Sequence, residues 1–215
     1  MATRTNPIPP VSHLPPPTAG ATNDRRQDIL NAALECAADD GVDAVSIDGI
    51  RARCGASVGS IYHHFGSREG VVAALYLDLF HDQSRSVKVQ LDAATDAQGG
   101  VHALVWGYLD WVAAQPAQAR FLFQARGAVV AGTRTPDLAE AAHGRNQAML
   151  AWFEPHRRSG ALRDLPCELM PSLVMGPVQS YCRAWLSGAA GPTALPSPIT
   201  YRAEFADAAW RAVRA

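Results

Sequence analysis

The chain has 215 residues, 48% hydrophobic and 18% charged, with a net charge of −1. A compact chain of this length buries roughly 70% of its unfolded surface, so it needs no metal or disulfide to fold. The near-neutral balance excludes a protein coated in basic residues, though not a local basic face. Cys36, Cys54, Cys167 and Cys182 form no CxxC-type pair, so they read as reduced thiols of a cytoplasmic protein. No apolar run approaches the ~18 residues of a membrane-spanning helix, and none of signal-peptide length opens the chain.

The proline-rich residues 1–22 read as a disordered tail. Residues 21–40 form a predicted helix, with Ile29, Leu30, Ala33, Leu34, Ala37 and Ala38 on one face. Asn23 or Asp24 is its expected N-cap and Gly41 its left-handed stop. Asp39 and Asp40 oppose the dipole at its C-terminus. Ser46 caps a short second helix ending near Cys54, Gly55 turns the chain, and Ser57 caps a third helix over residues 58–64. Two short helices joined this tightly have the spacing of a helix-turn-helix. Gly66-Ser67 ends the third helix, and Ser67 caps a fourth running to about residue 91. Gly99-Gly100 reads as a break before a fifth helix over residues 101–114. Pro116 starts a sixth. Thr135 and Pro136 open a seventh as N-cap and first turn. Residues 164–186 are the eighth, and Ser197-Pro198 opens the ninth. The predicted class is all-α with about nine helices.

The segment RRQDILNAALECAADDGVDAVSIDGIRARCGASVGSIYHHFGSREGVVAAL, residues 25–75, resembles the TetR family of bacterial transcriptional regulators. The match runs through Gly41, Ser46, Ile50, Gly55, Ser57, Gly59, Ile61, Tyr62, Phe65, Ser67, Arg68 and Glu69 in one register. ARFLFQAR (119–126) and VMGPVQSYCRAWLSG (174–188) look like the family's ligand-binding and dimerisation region. Two positions depart from the pattern: Arg51 stands where a small residue usually follows the helix 2 isoleucine, and Val58 replaces a polar residue. The window 24–70 holds eight acids and five arginines, so DNA binding has to come from local placement of charge.

The resemblance implies a helix-turn-helix domain over residues 23–70 and a helical ligand-binding and dimerisation domain over 71–215. Its expected DNA-binding residues are Ser46, Arg51, Arg53, Ser57, Val58, Gly59, Ser60, Tyr62, His63, His64 and Arg68. The Tyr62 hydroxyl suits a phosphate and its ring a thymine methyl. His63 suits a base edge or a phosphate, His64 a phosphate or the underside of its helix, and Arg51, Arg53 and Arg68 the phosphates. Ile61 and Phe65 read as core. A metal at His63-His64 is disfavoured because adjacent helical residues diverge by about 100°. No neighbouring group orients either ring for catalysis.

In the C-terminal part the expected ligand-binding residues are Trp106, Tyr108, Trp111, Phe121, Phe123, Arg126, Asn146, Trp152 and Met175, with ordinary core packing as the alternative for each aromatic. His102, Arg120 and His143 are further polar candidates. Leu169, Leu173, Val178, Tyr181, Trp185, Phe205 and Trp210 are the expected dimerisation residues, since their apolar surface needs cover. No P-loop, dinucleotide glycine pattern or metal triad is present, so no cofactor or metal is expected. The implied function is a non-enzymatic regulator, a repressor that binds a palindromic duplex operator as a homodimer and is released by a small, largely apolar effector. The alternatives are an activator or ligand-independent regulator on the same fold, or a ligand-binding α-protein that does not bind DNA.

Overall fold

The computed structural model describes residues 19–132, 135–166, 168–188 and 194–215. Residues 1–18 of the tail expected over residues 1–22, and Cys167, lie outside them. Among the described residues there are nine α-helices and no strand, only an isolated bridge between Leu162 and Arg214.

The head comprises α1 (Ala19–Asp40), a 3-10 turn (Val42–Ala44), α2 (Ile47–Cys54) and α3 (Val58–Phe65). The α1 helix starts at Ala19, so residues 19–22 belong to it rather than to a tail, and Asn23 and Asp24 are helical rather than caps. The predicted stop at Gly41 holds, with a left-handed φ of 87°. Asp39 finds a partner that its sequence position does not disclose: it accepts from Arg53 Nη2 at 2.8 Å. This pair offsets the unfavourable placement of the acid at a helix C-terminus.

The helix α4 (Arg68–Asp92) leaves the head and continues into the body. Its residues 71–77 are all buried, as expected of a helix that is surrounded rather than laid on a surface. Around it stand α5 (Ala97–Ala114), α6 (Pro116–Val130), α7 (Thr135–Arg158), α8 (Met170–Ser187) and α9 (Arg202–Val213). Gly99 and Gly100 do not break the chain. Asp96 caps α5 by accepting from Gly99 N at 2.7 Å, which puts both glycines in its first turn. Gly100 is needed for space, because a Cβ there would lie 2.0 Å from the Trp152 ring. The helix α7 begins at Thr135 itself, α8 starts at Met170 rather than near residue 164, and a 3-10 turn (Pro198–Tyr201) precedes α9. Arg163 N donates to Val213 O at 2.9 Å, tying the C-terminus to the segment after α7.

The core is one connected cluster, from Ile29, Ile50 and Ile61 in the head through α4 to Val105, Leu109 and Val178 in the body. Gly70 sets how closely the recognition end of the head approaches α4. A Cβ on it would sit 1.9 Å from the Phe65 carbonyl oxygen, which is backbone and cannot swing aside. Replacing Gly70 with alanine is therefore expected to cost about 1–3 kcal/mol. In thermal denaturation that is a Tm fall of about 2–4 °C per kcal/mol. Gly127→Ala, with nothing within 4 Å of its Cβ, is the control expected to hold or raise Tm.

Candidate nucleic-acid interface and the cavity behind it

Three serines build the head's helix starts. Ser46, Ser57 and Ser67 each accept a backbone hydrogen bond three residues ahead, from Gly49 at 3.1 Å, Ser60 at 3.1 Å and Gly70 at 3.0 Å. Each satisfies an amide that the helix cannot satisfy itself. Gly55 closes α2 with φ 65°, and its N–H donates to Arg51 O. Ile50, Ala56 and Ile61 are then buried together, seating α3 against the rest of the head.

One face of α3 is left to solvent. Val58, Gly59, Tyr62 and His63 are exposed, Tyr62 to 49% and Val58 to 43%, while Ile61 is fully buried. These four occupy i, i+1, i+4 and i+5, neighbouring rows on one side of a helix. Ser57 is exposed beside them, Ser60 half-buried. His64 is half-buried between its neighbours, its ring centroid 5.5 Å from that of His63 and 5.9 Å from that of Phe65.

The three arginines expected at phosphates differ in kind. Arg51 points to water, with only a 3.6 Å approach to Asp48. Because it lies outside the α2–α3 contact, its bulk does not disturb that packing. Arg53 is turned back onto α1, where it meets Asp39 at 2.8 Å and donates to Cys36 Sγ at 3.0 Å. Burial pushes the Cys36 thiol above its ordinary pKa, against the opposing pull of Arg53. Arg68 gathers backbone carbonyls: its Nε donates to Val45 O at 2.7 Å, and its Nη2 to Val42 O at 2.8 Å and Asp43 O at 3.1 Å. The guanidinium thus clamps the loop after α1 onto the start of α4.

Two residues that periodicity did not single out join the head to the body. Arg26 on α1 makes a two-pronged pair with Asp78 on α4, at 2.9 and 3.2 Å. The same guanidinium lies 5.8 Å from the centroid of Phe65, the last residue of α3. Such fork-shaped pairs fix geometry as well as charge.

Behind this junction lies an open cavity of about 1230 Å³, lined from α1, α4, α5, α6, α7 and α8. Of the expected ligand residues, Tyr108, Phe123, Arg126, Asn146 and Met175 line it. Trp106, Trp111, Phe121 and Trp152 do not. Trp106 is bound to α9, donating to Arg202 O at 3.3 Å beneath the Arg202 guanidinium. Trp111 donates to Asp82 at 2.8 Å, holding α5 to α4. Phe121 is 2% exposed in the core, and Trp152 packs on Gly100 and His156. An indole that needs both burial and a hydrogen-bond acceptor is met here between helices rather than in the cavity. Of the further polar candidates, Arg120 donates to Leu186 O at 3.1 Å and His102 approaches Asp207 at 3.4 Å. His143 is exposed. Tyr76, Phe80 and Arg145 line the cavity without having been expected there; the aromatics were hidden within the α4 core pattern. Burial raises the pKa of the Tyr108 phenol and pushes the Cys182 thiol to about 12, so both stay protonated near neutrality.

The expected dimerisation residues also divide. Leu169 is exposed; Leu173, Tyr181, Trp185, Phe205 and Trp210 are half-buried along α8 and α9. Val178 is 1% exposed and belongs to the chain's own core instead.

Residues 29–75 match the family described as bacterial regulatory proteins, tetR family. The HTH-type transcriptional regulator UidR of Escherichia coli (strain K12) is 39% identical over 62 residues, a match spanning 29% of this chain and 30% of that regulator's length. Across nearly the whole chain the fold is that of a TetR family transcription regulator from Marinobacter aquaeolei VT8, with TM-score 0.74, 17% identity and coverage of 92% of this chain and 99% of that one. The transcriptional regulator FadR from Bacillus subtilis, solved in complex with stearoyl-CoA, aligns with TM-score 0.69 and 12% identity over 86% of this chain and 98% of its own. These relatives are transcriptional regulators, not enzymes. The helix-turn-helix head thus matches the tetR family over residues 29–75, and with the helices behind it the chain has the all-α fold of solved TetR family regulators.

Proposed function

We propose that this chain is a DNA-binding transcriptional regulator, acting as a repressor that binds a palindromic operator as a homodimer and lets go when an effector fills the cavity. The observation that carries the reading is the solvent-facing row Val58, Gly59, Tyr62 and His63 on a helix whose other side is locked into the core. A rigid helix with small residues at its N-terminus and polar rings further along fits a major groove. Arg51 supplies a cation at its flank. A duplex operator with two-fold symmetry requires two such helices about 34–36 Å apart. The half-buried Tyr181, Trp185, Phe205 and Trp210 on α8 and α9 form the surface a second copy would cover. The acyl-CoA held by the fold-mate FadR supports reading the cavity as an effector site with room for a substantial apolar body.

The coupling follows from the Arg26–Asp78 pair, since both residues line the cavity. A ligand that binds better when this pair is altered shifts the head relative to α4, and only by its difference in affinity for the two arrangements.

Selection from a pool of random duplexes at two salt concentrations tests the reading. An inverted repeat retained by the wild-type chain, more weakly at the higher salt and not by Tyr62→Ala/His63→Ala, is the expected result. No enrichment by effector-free protein at either salt would overturn it. On the recovered duplex, Arg51→Ala is expected to reduce the salt slope by about one phosphate contact. Arg68→Ala is expected instead to act on folding, lowering stability by about 1–3 kcal/mol in a melting experiment because several backbone carbonyls lose their donor.

A further inference from the structure

The cavity is not the apolar pocket that the aromatic content of the sequence suggests. Six cationic side chains line it, and three already have carboxylate partners: Arg26 with Asp78, Arg85 with Asp82, and Lys88 with Asp92. The other three, Arg126, Arg145 and Arg183, have no carboxylate within ion-pair reach and no side-chain hydrogen bond among the described residues.

Arg145 is the most telling. Its guanidinium lies over the Phe80 ring, 4.3 Å from the centroid. Arg145, Arg126 and Arg183 line the open cavity and are all exposed to the water there. Burial lowers the pKa of Arg145; Tyr76 opposes that, while the positive charge of Arg126 adds to it. Like charges gathered on one cavity wall repel one another, and a cleft lined by one sign of charge attracts the opposite ion. Here the surroundings offer an aromatic face and a second arginine. Arg183 likewise stands over Phe123 at 5.6 Å. Apolar side chains such as Leu104, Leu122 and Met149 complete the lining. The volume, about 1230 Å³, exceeds the roughly 300–1,000 Å³ of typical small-molecule pockets.

From this arrangement we infer that the cavity binds an amphipathic anion, with a carboxylate or phosphate head taken by Arg145 and Arg126 and an apolar body laid among the aromatic and aliphatic lining. The inference rests on the reading of the cavity as an effector site and gives that effector its charge. A planar guanidinium is suited to either head, since it offers two parallel donors to carboxylate or phosphate oxygens.

Calorimetric titration of the full chain with four ten-carbon amphiphiles, all below micelle-forming concentrations, tests this. Decanoate and decyl phosphate present the two anionic heads, decanol a neutral one and decylamine a cation. The expected result is that at least one anion binds about ten- to a hundredfold tighter than decanol, the range a charged hydrogen bond supplies, with decylamine weakest. Whichever anion is tighter identifies the head. Arg145→Met is expected to remove that preference while leaving decanol affinity unchanged, and Arg145→Lys to retain part of it. Decanol binding as tightly as both anions, or a preference that survives Arg145→Met, would overturn the anionic assignment and leave an apolar effector cavity. Silence from all four amphiphiles would overturn both. The wild-type series stands without the variants should either fail to fold.

Discussion

Residues 71–77 of α4 are buried around the whole circumference of the helix, and that constraint governs the rest of the molecule. A helix lying on a surface can slide along one face; a helix surrounded by close-packed neighbours moves only with them. Its first turn is seated against the carbonyl of Phe65, at the end of the recognition helix, through Gly70. Its next turns carry Tyr76, Asp78 and Phe80, all of which line the cavity. The head and the cavity are therefore two ends of one rigid element. The Arg26–Asp78 pair closes the circuit by returning from α4 to α1, with its guanidinium beside Phe65. Under the proposed function, an anion arriving at the cavity would meet Arg26 as a further cation and Asp78 as a repelling charge, and these two groups would link ligand chemistry to head orientation.

The charge pattern follows the same economy. The chain carries a net charge of −1, and its head holds more acids than arginines. Two of the head's arginines serve its own architecture, Arg53 against Asp39 and Arg68 against three loop carbonyls. With so few free cations, the proposed DNA contact depends on shape and on the polar row of α3 more than on a broad basic surface. The body differs: of the six cationic side chains lining its cavity, Arg126, Arg145 and Arg183 have no carboxylate partner among the described residues, which underlies the proposed preference for an anion.

The head's helices were legible apart from the start of α1, because caps and turns are local chemistry. Ser46, Ser57 and Ser67 each cap where a serine before an apolar run should, and Gly55 and Gly66 take the positive φ that stops a helix. The exposed row of α3 was named through the family resemblance, with Ile61 and Phe65 read as its core side. What could not be read was tertiary. Arg53 and Arg68 look like free cations until the fold brings Asp39 and the Val42–Ala44 turn beside them. Gly99 and Gly100 look like a break, because nothing in sequence announces the Trp152 ring that requires the space. The tryptophans suggested a pocket, but Trp106 and Trp111 find their acceptors on other helices. Arg145, on α7, was not singled out, because nothing in sequence announces the Phe80 ring beneath it. Long-range partners decided each of these, and they lie 14 to 96 residues away along the hydrogen-bonded pairs of the fold.

The central claim is that the head's grip on DNA and the state of the cavity share the Arg26–Asp78 pair. The most direct measurement is a double-mutant cycle on it: Arg26→Met, Asp78→Asn and the two together, read as affinity for the duplex recovered by selection and checked for intact folding. The account predicts that each single change weakens binding and that the double change weakens it little further, leaving an interaction energy above the ~0.5 kcal/mol expected of independent sites. Variants that bind the duplex like the wild type, or losses that simply add, would contradict it.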